Sequence, residues 1–299
     1  MKIHVIVNPG AGRRIIQRNL EGIIGKLMLD NTASSVRVTR TKARDDAMRA
    51  AFAATREDTD LIIGCGGDGT INEIVNGIMR SGSGVPLAIL AAGTSNDFAT
   101  SLRLPDQPVQ FCDMVRGGLY QDIDIGLVND SVYFINVAAF GIFTEISHKT
   151  AREAKNTFGR LAYYAQVITT MPEQFFKNAI LNITADEESF CGDFSLCLVT
   201  NSMSVGSMRR LMYKADVSDG LFDMLLLERK SVFPNLTGNP RTTDIFRSPA
   251  LQYLQAAEIT ISSPDNEKIE VDIDGEYYGS LPLHIKVCHK ALRLLVPAW

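Results

Sequence analysis

The sequence predicts an α/β plus β chain: a doubly wound parallel sheet over residues 1–121 and a β-sandwich over 122–299, the last residues being expected to return to the first domain. Three observations predict it. The first part alternates β-branched apolar runs with segments of helical spacing, the order that builds a parallel sheet with helical crossovers. Glycine-rich turns follow three of those runs, and from about Asp122 short alternating strands take over. At 299 residues the chain is long enough for two cores.

The elements follow in order. "KIHVIVNP" reads as a first strand, 15–29 as a helix, "SSVRVTRT" as a strand and 43–56 as a helix. "TDLIIGC" is an unbroken apolar run, as expected of a strand covered on both faces, and is followed by a helix over 70–80 and the strand "PLAILAAG". The second part holds "QDIDIGLVND", "SVYFINVAAFG", "AILNITADEE", "FSLCLVTNS", "LFDMLLLERK", "EITISSP", "KIEVDIDGEYYG" and "LHIKVCH" as strands, with one helical segment near 151–171 and a loop-like stretch over 233–249.

Composition narrows the function. A net charge of −4 without a lysine or arginine cluster argues against a nucleic-acid partner. No apolar run approaches the ~20 residues that span a bilayer, and the apolar part of "MKIHVIVNPG" is too short for a signal peptide. Five cysteines without metal-ligand spacing predict a reduced, cytoplasmic chain without zinc.

The chemistry concentrates in "GCGGDGTINEIVNGI" (64–78), where a strand meets a helix through a glycine turn. Gly66, Gly67 and Gly69 are expected to take positive φ and let the backbone approach a ligand, with Asp68 or Thr70 available to cap the helix. Free N–H groups at a helix start suit an anion, phosphate above all. Two further turns agree: "NPGAGRR" after the first strand brings Asn8 and two arginines, and "AAGTSNDFATSL" after the fourth brings Thr94, Asn96 and Asp97. Three such turns at one sheet edge describe a nucleotide-phosphate site in a nucleotide-binding domain. Neither GxxxxGK[ST] nor GxGxxG with its acidic partner is present.

"NPGAG", "GGDGTINEIVNGI", "GTSNDFA", "DIDIG", "YFINVAAFG", "NSMSVGSM", "ADVSDGLFDM" and "VDIDGEYYGSLP" together resemble the bacterial diacylglycerol kinase and YegS-type lipid kinase family, in its order and from Ile3 to Pro297. The resemblance implies that Gly66, Gly67, Asp68, Gly69, Thr70, Ile71 and Asn72 hold ATP phosphates, joined by Thr94 and by Thr41, with Thr39 a competitor for the last place. It places Asp124 in a polar cluster with Asp68 and Asp97. Aspartates beside a triphosphate require a cation between them, so Mg2+ with ATP is implied. Asp274 is assigned as the base that receives the hydroxyl proton and Glu276 as its neighbour; on a regular strand the two lie on one side, with Gly275 between them permitting a turn. A second Mg2+ site is implied in "ADVSDGLF", from the Asp219 carboxylate and the carbonyls of Asp216 and Leu221.

The expected activity is transfer of the ATP γ-phosphate to a lipid hydroxyl, diacylglycerol to phosphatidic acid, in a cleft between the domains. Expected too is peripheral association with the inner face of the membrane, to which "SMRRLMY" offers a basic, apolar contact unless its arginines are simply solvated. A homodimer is left open. The alternatives are another lipid acceptor of the phosphatidylglycerol, ceramide or sphingosine type, an NAD kinase, and a non-catalytic nucleotide- or lipid-binding regulator.

Overall fold

Strand β1 (Lys2–Val7) lies between β2 (Ser35–Arg40) and β3 (Leu61–Gly66), and β3 continues to β4 (Leu87–Ala91), all parallel. The computed structural model describes every residue except 12–14, 94–95, 142–179, 204–211, 229–250, 266 and 299. The helix expected near 151–171 and the loop expected over 233–249 lie outside the described residues, as do Arg13, Arg14 and Thr94. The chain divides into two compact units, Met1–Ile125 with Cys288–Trp299, and Gly126–Val287.

In the first unit the crossovers are α1 (Ile15–Leu29), α2 (Asp46–Ala54) and α3 (Asp68–Ser81). All six residues of β3 are buried, which is why its sequence shows no alternation, whereas β2 is a largely exposed edge. Helices α2 and α3 pack so closely at Gly77 that a Cβ there would stand 2.4 Å from the Met48 carbonyl oxygen. Two further helices are α4 (Asp97–Ser101), whose start the sequence places at Asn96 and Asp97, and α5 (Pro108–Gly117), which the sequence reading does not include. The second carries a legible signature, proline at its start and Gly118 at φ 62 just beyond its end.

The start of α2 is capped from the neighbouring helix. Glu73, on α3, accepts the N–H of Asp45 at 3.0 Å on Oε1 and that of Ala47 at 3.1 Å on Oε2. These are donors that no intrahelical carbonyl reaches, and a carboxylate there also meets the positive end of the helix dipole. Glu73→Ala is expected to cost about 1–2 kcal/mol of stability, read as a lower urea midpoint at unchanged slope.

The second unit is antiparallel. Its strands are β5 (Tyr120–Val128, which begins in the first unit), β6 (Val132–Phe134), β7 (Val137–Gly141), β8 (Ile180–Ala185), β9 (Glu188–Thr200) and β10 (Phe222–Glu228). They continue as β11 (Leu251–Ala256), β12 (Glu258–Ser262), β13 (Glu270–Ile273), β14 (Glu276–Ser280) and β15 (Leu283–Leu295). One series runs β14-β13-β7-β9-β10-β11 and another β9-β8-β12-β15-β5-β6, the long β9 serving both. Phe134, Phe140, Val199, Phe222, Leu226, Ile259 and Ile261 share one buried core. The Phe134 ring stacks on Phe222 at 5.2 Å and covers Gly126, where a Cβ would meet it at 2.0 Å. Strand β15 ends in the first unit, where Leu294 pairs with Leu87 of β4.

Three strand expectations need correction, one being "KIEVDIDGEYYG", which is the β13–β14 hairpin and not a single strand. β11 was not foreseen, because "LQYLQA" is half-buried along most of its length and so lacks alternation. The run over 131–141 is two strands, broken at Ile135 and Asn136. That break turns the N–H groups of Ile135, Asn136 and Val137 toward the Asp274 carboxylate.

Candidate active site

In the first unit the three glycine turns sit at the carboxyl ends of β1, β3 and β4 and are tied to one another. Asn8 donates from Nδ2 to the Thr70 hydroxyl at 3.0 Å, and its Oδ1 accepts the Gly10 N–H at 2.9 Å. The Asn96 N–H donates to Asp68 Oδ2 at 3.0 Å, while its side chain accepts from Gly93 N–H at 2.7 Å and donates to the Gly93 carbonyl at 3.0 Å. Ala92 N–H reaches the Gly66 carbonyl at 2.9 Å.

Gly66 and Gly67 are needed for space and not, as expected, for positive φ. Gly67 has φ −86 and ψ −178, an extended residue running straight into the helix, and neither Gly66 nor Gly69 is among the residues of positive φ. A Cβ on Gly67 would lie 3.1 Å from Gly93 Cα, one on Gly93 only 2.6 Å from Gly67 Cα, and one on Gly66 2.5 Å from Thr70 Cβ. The expectation that Asp68 or Thr70 caps α3 is likewise corrected. Gly67 is the N-cap residue, Asp68 and Thr70 lie inside the first turn, and their side chains turn to Asn96 and Asn8. Gly67 has no side chain with which to cap this helix, and N–H groups at a helix start suit an anion.

The remaining predicted residues of this unit distribute as follows. Ile71 is buried and Asn72 accepts from Asn76 Nδ2 through both its carbonyl and its side-chain oxygen. Thr41 follows β2 directly, is buried, and donates its N–H to Val7 at 2.9 Å, whereas the Thr39 hydroxyl is engaged with His4 Nε2 at 2.8 Å. Asp97 opens α4 after Asn96, which is left-handed at φ 50. Asp124 is fully buried; its Oδ1 accepts the Lys290 N–H at 2.7 Å and pairs with His289 Nδ1 at 2.9 Å. Sequence reading did not find these two partners, and a separation of 165 residues leaves no local signal for them. Among the described residues no three Asp, Glu, His or Cys side chains form a metal site by themselves.

In the second unit Asp274 and Gly275 are the two-residue turn of the β13–β14 hairpin, with φ 49 and 82. Asp-Gly at two positive φ values is the favoured hairpin turn. Asp274 and Glu276 therefore stand on opposite sides of a turn and not along one face of a strand, Glu276 being exposed opposite Ile273. The Asp274 carboxylate is held by three main-chain donors at the β6–β7 break. Ile135 N–H reaches Oδ2 at 2.9 Å, and the N–H groups of Asn136 and Val137 reach Oδ1 at 2.9 and 2.8 Å. The Asp274 N–H returns to the Val137 carbonyl at 2.8 Å.

The Asp216–Leu221 stretch is a pair of short turns. Asp216 Oδ1 accepts the Ser218 N–H at 3.0 Å and its hydroxyl at 2.8 Å, and Asp219 Oδ1 accepts the Leu221 N–H at 2.9 Å around Gly220 at φ 83. Beside it Asp223 is buried and bonded to the Tyr253 hydroxyl and Gln255, while its Oδ2 lacks a partner. Desolvation, with a smaller contribution from the nearby Asp219 charge, pushes the Asp223 carboxyl up to about 6.

A glycine-turn α/β unit followed by an antiparallel β unit is the build of this class of phosphotransferase, which acts on an alcohol group. Residues 2–128 match the family model of the diacylglycerol kinase catalytic domain, and 137–296 that of the YegS C-terminal NAD kinase beta sandwich-like domain. The chain belongs to the bacterial diacylglycerol kinase and YegS-type lipid kinase family. It is 31% identical over 299 residues to diacylglycerol kinase of Bacillus subtilis (strain 168), covering 99% of this chain and 96% of that protein. With diacylglycerol kinase of Staphylococcus haemolyticus it shares 31% over 293 residues, covering 95% and 87%. A crystal structure of a Bacillus anthracis protein described as a diacylglycerol kinase has the same fold, with TM-score 0.76 at 22% identity over 99% of this chain and 96% of that one.

Proposed function

We propose that this kinase transfers the γ-phosphate of ATP to the hydroxyl of diacylglycerol, giving phosphatidic acid. The observation that carries the reading is the linkage of three glycine turns at one sheet edge around a helix start whose N-cap residue is glycine. The curated relatives, named diacylglycerol kinase, supply the acceptor.

In this reading the N–H groups at the start of α3 and the turn of Asn8 would hold the phosphates, and Asp68 and Asp97 would supply carboxylate oxygens to a divalent cation, Mg2+ by the hardness of those donors. Bound there, the cation neutralises charge on the triphosphate. Asp274 takes the proton of the lipid hydroxyl as its oxygen bonds to the γ-phosphorus and ADP leaves, and Glu276 orients the approach. The lipid is met at a membrane surface, and no described helix is long and apolar enough to cross one. Incubation with radiolabelled ATP and separate pools of diacylglycerol, phosphatidylglycerol, ceramide, sphingosine and NAD tests the reading. Label in phosphatidic acid is expected, and label confined to another pool would replace the acceptor.

The second Mg2+ is part of the same proposal. Asp219, with the Asp216 and Leu221 carbonyls, is an all-oxygen donor set, and the buried Asp223 oxygen without a partner adds negative potential beside it. In the absence of ATP, magnesium is expected to raise the melting temperature of the parent and much less that of Asp219→Ala. An ion that binds only the folded chain adds roughly 2.7 kcal/mol at a hundredfold excess over its dissociation constant. Equal shifts in the two proteins would return Asp219 to a plain turn residue.

A further inference from the structure

The three donors that hold Asp274 are only as fixed as the segment that carries them, and that segment is itself held by Asn201 and Ser202. Asn201 donates from Nδ2 to the Ile135 carbonyl at 3.2 Å and from its main-chain N–H to the Asn136 carbonyl at 2.9 Å. Each carbonyl belongs to a rigid peptide plane whose opposite side is an N–H. The plane that begins with the Ile135 carbonyl ends in the Asn136 N–H, and the next, from the Asn136 carbonyl, ends in the Val137 N–H. Those are the two N–H groups on Asp274 Oδ1. Gripping the two carbonyls therefore sets the direction of both donors. Ser202 adds a third hold, its hydroxyl donating to Asn136 Oδ1 at 2.5 Å. Asn136, Asn201 and Ser202 are 6%, 0% and 1% exposed, so these bonds form where water does not compete.

We infer that Asn201, assisted by Ser202, is the positioning residue of the proton acceptor, acting on Asp274 through the peptide planes of residues 135–137. The inference rests on the reading of Asp274 as the base. It gives "NSM" at 201–203 a role that its sequence does not disclose. Loss of the side-chain donor frees the first plane to rotate, and misplacement of a reacting group by about 1 Å costs on the order of 100-fold in rate.

A double-mutant cycle tests it, with kcat, KM for ATP, the pH profile of kcat and the melting curve read for each protein. Asn201→Ala is expected to lower kcat about 10–100-fold with KM for ATP unchanged and to shift the apparent pKa on the ascending limb of the kcat profile. On the Asp274→Asn background the same change is expected to have no further effect, because the group it positions is gone. An unchanged kcat in Asn201→Ala, or an equal loss on both backgrounds with an unshifted profile, overturns the inference while leaving Asp274 as the base. High activity in Asp274→Asn alone removes the base and the inference with it, and is seen as a separate corner of the cycle. Should Asn201→Ala fail to fold, Ser202→Ala, which deletes one hydroxyl, carries the same cycle, with Ser202→Thr expected to restore the rate.

Discussion

Asp274→Asn is expected to lower turnover by ~100-fold to 10,000-fold, the usual range for loss of a general base. The substitution keeps the shape of the side chain but not its fit. Both carboxylate oxygens accept main-chain N–H groups, so an amide must set its NH2 against at least one of those donors. Leaving a donor unsatisfied in a half-buried turn adds a stability cost of about 1–3 kcal/mol. The melting curve and the affinity for ATP must therefore be measured with the rate. Undiminished nucleotide binding by a folded but inactive protein is the result that supports the assignment, and a mutant with most of its activity rules it out. Glu276→Gln, at the exposed side of the turn, is expected to be milder.

Gly67→Val is the second substitution with a large expected effect. Its cause is the approach of two main chains, since the first carbon of any side chain already meets Gly93 Cα at 3.1 Å and valine adds two methyl groups beyond it. Relief requires the turn after β4 to move away, which carries Asn96 off the Asp68 carboxylate. Calorimetry is expected to show at least a tenfold loss of ATP affinity, with a modest drop in melting temperature because the displaced groups lie at the sheet edge. Unchanged affinity would make the turn purely structural.

The sheet edge was legible in the sequence because its signals are local. A six-residue run with no alternation announces β3, and the apolar stripe of Ile71, Ile74, Val75 and Ile78 announces α3. The glycines marked the turns correctly, yet their cause was misread. Local sequence shows that a Cβ is unwelcome but not whether a dihedral or a neighbour excludes it, and Gly93 lies 26 residues from Gly67. The same limit hid the grip on Asp274, whose donors come from 137–139 residues away. The strand break that exposes those donors read as continuous, because a single strand-disfavouring residue, Asn136, interrupts the otherwise β-favouring "YFI" and "V". Asp124 is singled out by the family resemblance of "DIDIG", whereas His289 and Lys290 are brought to it only by the return of β15. Helix α5 was missed despite its proline and glycine ends, since no apolar run there draws attention.

The cradle of Asp274 also bears on mutational tolerance. Its three donors are peptide groups, which every residue but proline possesses. Side-chain replacements at Ile135 and Val137 leave all three N–H groups in the chain, so those two positions can drift in sequence, whereas Asn136 also offers the Oδ1 that Ser202 holds. Proline is the one residue whose arrival at any of them deletes a donor outright.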